Sequence, residues 1–252
     1  MLSGIQGFAR RQLDADEVFR IVDACAREYG KLRFELFDEN TMKTRRIRSC
    51  DRAQEAVAAG TLSTITALSV ENERNSVEVR LRGDPSCYLP HEVHVIRETD
   101  EGGIADMNRF FDSIVILSKC DYAFGVFVND YMEITEELRF IPMGHWSPTS
   151  LTENDAHREY LFTLQHMRPD IGRRIPQMYP LNYFSRTILA NVETTLKRFV
   201  DNNDWDSTEI DGITKIRFRD ILNQVRFKAI QENIRRQLWG EEGVETRDSH
   251  LY

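Results

Sequence analysis

The chain has 252 residues, of which 41% are hydrophobic and 29% charged, and its formal net charge is −8. Such a composition supports a globular protein with a core of its own, and no run approaches the roughly 18 apolar residues of a membrane-spanning helix. The acidic balance argues against a general affinity for nucleic-acid backbones and suits a protein partner of basic character, so neither nucleic acid nor membrane is an expected partner.

The N-terminal run MLSGIQGFARRQLDADEVF lacks the apolar stretch and small-residue cleavage site of a secretion signal, and a cytoplasmic protein is expected. The first element read is a helix over Asp14–Tyr29, with Val18, Val22, Cys25 and Tyr29 on one face, Asp14 as its cap and Gly30 at its end. Leu32–Phe37 alternates like a strand, and Thr44–Ser49 after Asn40 reads as its hairpin return. A short Ala-rich helix over Asp51–Ala59 ends at Gly60. Leu62–Val70 and Ser76–Leu81 form a second hairpin, His91–Arg97 is a further strand, and Ile104–Ser118 is a second amphipathic helix with Met107, Phe111, Ile114 and Val115 on one side.

Asp121–Val128 reads as a compact apolar strand whose Gly125 marks a bulge or a close backbone neighbour. Leu138–Pro142 is its candidate partner, Met143–Asn154 is a loop holding His145 and Trp146, and Asp155–Met167 is drawn as a helix. Pro176 and Pro180 bracket an extended bridge, since proline removes a donor and extends its predecessor. A helix over Arg186–Val200, a hairpin turning at Asp211-Gly212 between Trp205–Glu209 and Ile213–Phe218, and a last helix over Ile221–Leu238 complete the order. Strands in hairpins with helices gathered between them predict an α+β fold of antiparallel sheets with helices packed on one face. Two similar lobes are expected, residues 1–120 and 121–240 with a polar tail over 241–252; a single fused sheet is the rival arrangement.

The candidate chemistry is sparse. His91 and His94 with Cys87 upstream offer zinc-type ligands, but on a strand positions 91 and 94 face opposite ways. His157 and His166 are nine apart, on opposite sides of one helix. Asp201–Gly212 has Trp205, Asp206 and Gly212 where a calcium loop needs an oxygen ligand, Gly and Glu. Lys43, Arg45, Arg46 and Arg48 form a basic cluster, read as a charged edge strand that discourages unwanted pairing. Cys25, Cys50, Cys87 and Cys120 form no C-x-x-C pair and are read as reduced and mostly buried. There is no G-x-S-x-G elbow, phosphate loop or dinucleotide fingerprint. No catalytic residue, metal ligand or cofactor is assigned.

The run Arg173-Arg174-Ile175-Pro176-Gln177-Met178-Tyr179-Pro180-Leu181-Asn182-Tyr183-Phe184-Ser185 resembles a tyrosine-proline-x-asparagine segment of bacterial α+β proteins, some of which are immunity proteins of toxin systems. The likeness covers about the last third of the chain, where a helix, a short hairpin and a terminal helix follow. It implies a compact acidic protein that binds and blocks a cognate toxin, and transfers no catalytic residue. The expectation is a non-enzymatic protein-binding module of bacterial conflict, with Trp146, Tyr179, Asn182 and Trp205 as contact or scaffold positions and Asn182 placed to cap a helix. Tyr179 has the alternative of a core residue with its hydroxyl satisfied. The competing expectation is a small-molecule-binding protein or enzyme with a pocket at the seam between lobes, where His145, His157, Arg186 and Asp130 would converge.

Overall fold

The computed structural model describes residues 1–83, 89–98, 103–128, 178–190, 196–197, 204–220, 223, 225–227 and 229–230. The chain opens with a strand, β1 (Leu2–Ala9), every residue of which is buried. Helix α1 (Ala15–Tyr29) starts at a capping box: the Glu17 N–H donates to the Asp14 carboxylate at 2.8 Å and the Asp14 N–H donates back to Glu17 Oε2 at 3.1 Å. Two orphan donors of the first turn are thereby satisfied. Then follow β2 (Leu32–Asp38), β3 (Lys43–Ile47), α2 (Cys50–Ala58), β4 (Thr64–Ser69), β5 (Ser76–Arg80), β6 (His91–Glu98), α3 (Ile104–Ser118), β7 (Tyr122–Val128), β8 (Leu181–Ser185), β9 (Trp205–Ile210) and β10 (Ile213–Phe218). The β9–β10 turn places Asp211 at φ 47° and Gly212 at φ 78°, the pair of positive values that a two-residue hairpin matched to strand twist requires.

The strands form one ten-stranded sheet in the order β3-β2-β4-β5-β6-β1-β7-β8-β10-β9, with antiparallel pairing throughout. β1 is its keystone: Leu2–Ala9 pairs along its whole length with β6 and Leu2–Phe8 pairs with β7. The α+β class and the antiparallel hairpins are those expected. Strands from both sides of residue 121 lie in one sheet, the arrangement held above as the rival to separate sheets. Across that position Lys215 of β10 donates to Asp112 of α3 at 2.6 Å, and Tyr183 of β8 donates to the same carboxylate oxygen at 2.9 Å.

The period-two alternation of the strands divides the core in two. On one face α1, α2 and α3 cover Ile5, Phe34, Leu36, Ile65, Val77, Val79, Val93 and Val95. On the other, Leu2, Phe8, Ile96, Tyr122, Phe124, Phe184 and Phe218 pack with Ile188, Leu196 and Phe227. Residues 186–190, 196–197, 225–227 and 229–230 are helical. Helical cover is therefore on both faces, where one was expected. A sheet strand such as β7 (YAFGVFV), apolar at every position, has two faces to bury.

Two strands differ from the sequence reading. β1 was not anticipated, and Leu181–Ser185, to which no strand was assigned, is β8, with a helix beginning after it at Arg186 as expected. Gly125 sits in unbroken register between Ile5 and Leu181, so no bulge is present there. A Cβ at that position would lie 3.1 Å from Leu181 Cδ1, so the close neighbour is a side chain, with the nearest backbone atom, Gly4 O, at 3.6 Å. Cys25 and Cys120 are buried as expected, whereas Cys50, at the exposed start of α2, is not. The Leu138–Pro142, Met143–Asn154 and Asp155–Met167 readings, with Cys87, fall outside the described residues.

Candidate functional site

The face of the sheet opposite α1–α3 carries a polar patch in the middle of its N-terminal half. Thr66 on β4, Glu78 on β5, His94 on β6 and Gln6 on β1 are direct cross-strand neighbours, so their side chains share that face. Glu92, two residues before His94 on the same strand, joins them. Glu92, His94 and Gln6 are buried at 7%, 5% and 3% exposure, a setting in which charged and polar groups persist only when hydrogen-bonded or paired.

The pairing is specific. Glu92 Oε1 accepts from Arg80 at 3.1 Å and Glu92 Oε2 lies 3.0 Å from His94 Nε2. Gln6 Nε2 is 3.4 Å from the same imidazole nitrogen. Of these two neighbours only the carboxylate accepts, so a protonated His94 Nε2 donates to Glu92. The Gln6 carbonyl oxygen has no hydrogen-bond partner among the described residues. Glu78 accepts from the Thr66 hydroxyl at 3.2 Å.

The two carboxyls are driven apart. Burial, partly offset by the nearby His94 and the Thr66 hydrogen bond, raises the Glu78 pKa. Glu92 meets an upward push from burial too, but the His94 hydrogen bond and the charges around it, Arg80 included, hold it below the ordinary value. One acid is kept as an anion and its neighbour is pushed toward its neutral form, which is the electrostatic arrangement acid–base sites use. Burial is also the main cause at Cys120, whose thiol is pushed up to about 12 and lies 3.0 Å from Ser118 Oγ. It likewise raises the Cys25 thiol. Neither thiol is a ready nucleophile.

The residues named from sequence lie elsewhere. Tyr179 is 1% exposed and stacks on Phe124 with ring centroids 4.0 Å apart. Asn182, fully buried, exchanges two hydrogen bonds with the Tyr179 backbone: its Oδ1 accepts from the Tyr179 N–H at 3.0 Å and its Nδ2 donates to the Tyr179 carbonyl at 2.6 Å. It thus fixes the turn at Pro180 and caps no helix. Ser185 takes that part for the following helix, accepting from the Ile188 N–H at 3.4 Å. Trp205 is 3% exposed against Phe218 and Phe227. All three have the burial of scaffold positions. Trp146, His145, His157, His166 and Asp130 fall outside the described residues. Arg186 is exposed and paired with Glu209 at 3.1 Å. His91 and His94 are on opposite faces of β6, and no group of metal-type ligands is assembled among the described residues. Charged residues between valines in SVEVR and HEVHVIRE were the available signal for the polar patch, with Glu92 and His94 at strand spacing on one face.

No protein-family model matches the chain, and no curated protein matches it. Among solved structures it is similar to the Pseudomonas aeruginosa T6SS protein PA0821, with a TM-score of 0.54 and 11% identity, over 96% of this chain and 72% of that one. At that identity the likeness shows a shared fold. No helix among the described residues is long and apolar enough to cross a membrane.

Proposed function

We propose that this chain is a protein-binding module of bacterial conflict, of the kind that blocks a toxin or serves a defence system, and that it works without catalysis. The observation that carries this reading is the fold likeness, over nearly the whole chain, to a protein of the type VI secretion system (T6SS). The Tyr179-Pro180-Leu181-Asn182 segment adds to it: Asn182 and Tyr179 lock the turn that delivers β8 to the sheet, a structural reason for that motif to recur in proteins of this shape. The acidic surface favours a basic partner.

A tagged chain recovered from its native host at low and high salt, with mass spectrometry of co-eluting proteins, tests the proposal. One basic protein in equal amount, released by salt, supports it. Recovery of the bait alone counts against it.

A second reading rests on the patch of Glu78, Glu92 and His94, whose opposed carboxyl environments suit a polar small molecule or proton-transfer chemistry. Thermal stabilisation by a metabolite, lost in His94→Ala and in Glu92→Gln while both variants still fold, would favour that reading over the first.

A further inference from the structure

Among the described residues the sheet does not close, and its two end strands differ in the sign of their own charged residues. At one end the outer edge of β3 has no strand partner among the described residues; Lys43 to Arg46 are exposed and Ile47 is half-buried. Arg46 pairs with Glu35 at 3.0 Å, and neither Lys43, Arg45 nor Arg48 has an ion-pair partner among the described residues. At the other end β9 is also without an outer partner among the described residues. Ser207, Thr208 and Glu209 are exposed, and Asp204, Asp206, Glu209 and Asp211 make the segment acidic. Asp204, Asp206 and Glu209 hold basic partners within their own molecule, Arg226, Arg217 with Arg219, and Arg186; the Arg186–Glu209 pair, exposed by 80% and 61%, is the one that exchanges at little cost.

An edge strand is a template for another chain unless something blunts it, usually a proline, a bulge or charge. Neither edge has a proline, and both registers run without interruption. Charge is the device that remains, and it acts selectively. Two β3 edges repel each other, as do two β9 edges, whereas β3 against β9 is attractive.

We propose that a second copy of this chain adds its β9 edge to β3, so that the sheet continues from one molecule into the next. The contact joins two different surfaces and is heterologous; repeated, it gives an open row rather than a closed dimer. The net charge of −8 on each copy opposes growth and keeps the rows short. Two short strands bury little area, so the association belongs to the weak class and becomes visible at roughly 0.1–1 mM. This inference is independent of the identity of any toxin or other partner.

Sedimentation velocity of the full chain tests it directly. The wild type is expected to show a weight-average mass that rises with concentration. Lys43→Glu/Arg45→Glu/Arg48→Glu makes both edge strands acidic, and Thr208→Lys/Glu209→Lys leaves Asp206 against two lysines within Trp205–Ile210 and makes both edge strands basic, so each variant alone is expected to remain a monomer. Their equimolar mixture is expected to recover association, because the acidic β3 of one then meets the basic β9 of the other. A peptide of residues 204–211 added to the wild type provides a check free of folding effects and is expected to lower its mass. A wild type that stays monomeric at roughly 1 mM overturns the proposal, as does association undiminished in both charge-reversed variants. If the peptide saturates β3 while the wild type stays monomeric, the edge serves a foreign acidic strand and self-association is again overturned.

Discussion

At the scale of single residues the sheet centre is fitted closely enough that one methyl group matters. A Cβ added at Gly7 would lie 2.3 Å from Cys120 Sγ, well inside contact distance, and both residues are in buried surroundings. Gly7→Ala is expected to destabilise the protein by about 1–3 kcal/mol through overpacking. Pairing it with Cys120→Ala should recover part of that loss in urea denaturation; an unrecovered loss would place the strain elsewhere.

Glu78 and Glu92 offer a sharper contrast, because the same amide substitution should act in opposite directions. Glu92 is a buried anion held by Arg80 and by the His94 hydrogen bond, and Glu92→Gln removes the charge facing Arg80, at a cost of about 1–3 kcal/mol near neutral pH. Burial raises the folded pKa of Glu78 above the ordinary carboxylate value. Its contribution favours the fold below that value and is lost as pH rises through the folded pKa, where the buried side chain must charge. Glu78→Gln removes that penalty and should be neutral or stabilising at pH 7 and above. Parallel urea titrations at pH 5 and pH 8 would separate the two, and equal losses in both variants would refute the assignment.

At the scale of elements, α1 was legible because its signals are local. Asp14 and Gly30 announce its ends in sequence, and the structure finds the cap and the positive-φ glycine where they were read, with Glu17 completing a capping box. Glu17 does more than its position shows: Lys119, which ends α3 in a left-handed conformation, donates to its carboxylate, and Arg11 pairs with it as well. The Lys119 hydrogen bond, then the Asp14 N–H and Arg11, lower its pKa to about 2 against the pull of burial. The stability this gives is present above the unfolded value of about 4.5 and is lost as pH falls toward 2. Glu17→Gln is expected to lose about 1 kcal/mol at pH 7 and to converge on the wild type near pH 2. Unfolding midpoints that stay apart at pH 2 would show that the side chain acts through packing.

The strands were less evenly legible, for a physical reason. β2, β4 and β5 alternate because one side is covered by helices and the other is partly polar. β1 is buried on both sides and between two neighbours, and it meets that confinement with Gly4 and Gly7 in place of a β-branched run. Its sequence therefore lacks the usual strand signal, and its identity depends on partners about ninety residues or more away in the chain, Arg97 and Phe127 opposite Ser3. β8 was hidden differently: LNYFS is short, lies between Pro180 and a helix, and with Tyr183 and Phe184 adjacent shows no clean alternation. The polar patch left only a partial signal, the charged residues between valines in SVEVR and HEVHVIRE, and its assembly was hidden for the same reason as β1. Thr66, Glu78, His94 and Gln6 become neighbours only once β4, β5, β6 and β1 are in register.

At the scale of the whole molecule, the position of β1 decides how the protein unfolds. It is the strand between β6, the last of the N-terminal hairpin series, and β7, the first after residue 121. Breaking the sheet there would expose two strand edges, and the Lys215–Asp112 and Tyr183–Asp112 contacts tie α3 to β10 and β8 across the same line. Leaving Asp112 without Lys215 would strand a largely buried charge on either side, Lys215 being 9% and Asp112 23% exposed. Partial unfolding of either side alone is thus disfavoured, and the two sides are expected to melt together in one cooperative transition. Trp205 reports the far side from within its aromatic cluster once Trp146 and Trp239 are replaced by Phe. Hydrogen exchange of α1 and β4 reports the near side. Coincident free energies from the two probes are the expected result, with the β1 amides among the last to exchange. Removing residues 1–12 should then abolish folding of both sides at once, because each loses the strand that closes it. A truncated chain in which the Trp205 signal still melts cooperatively would show that the stretch after residue 121 folds as its own domain.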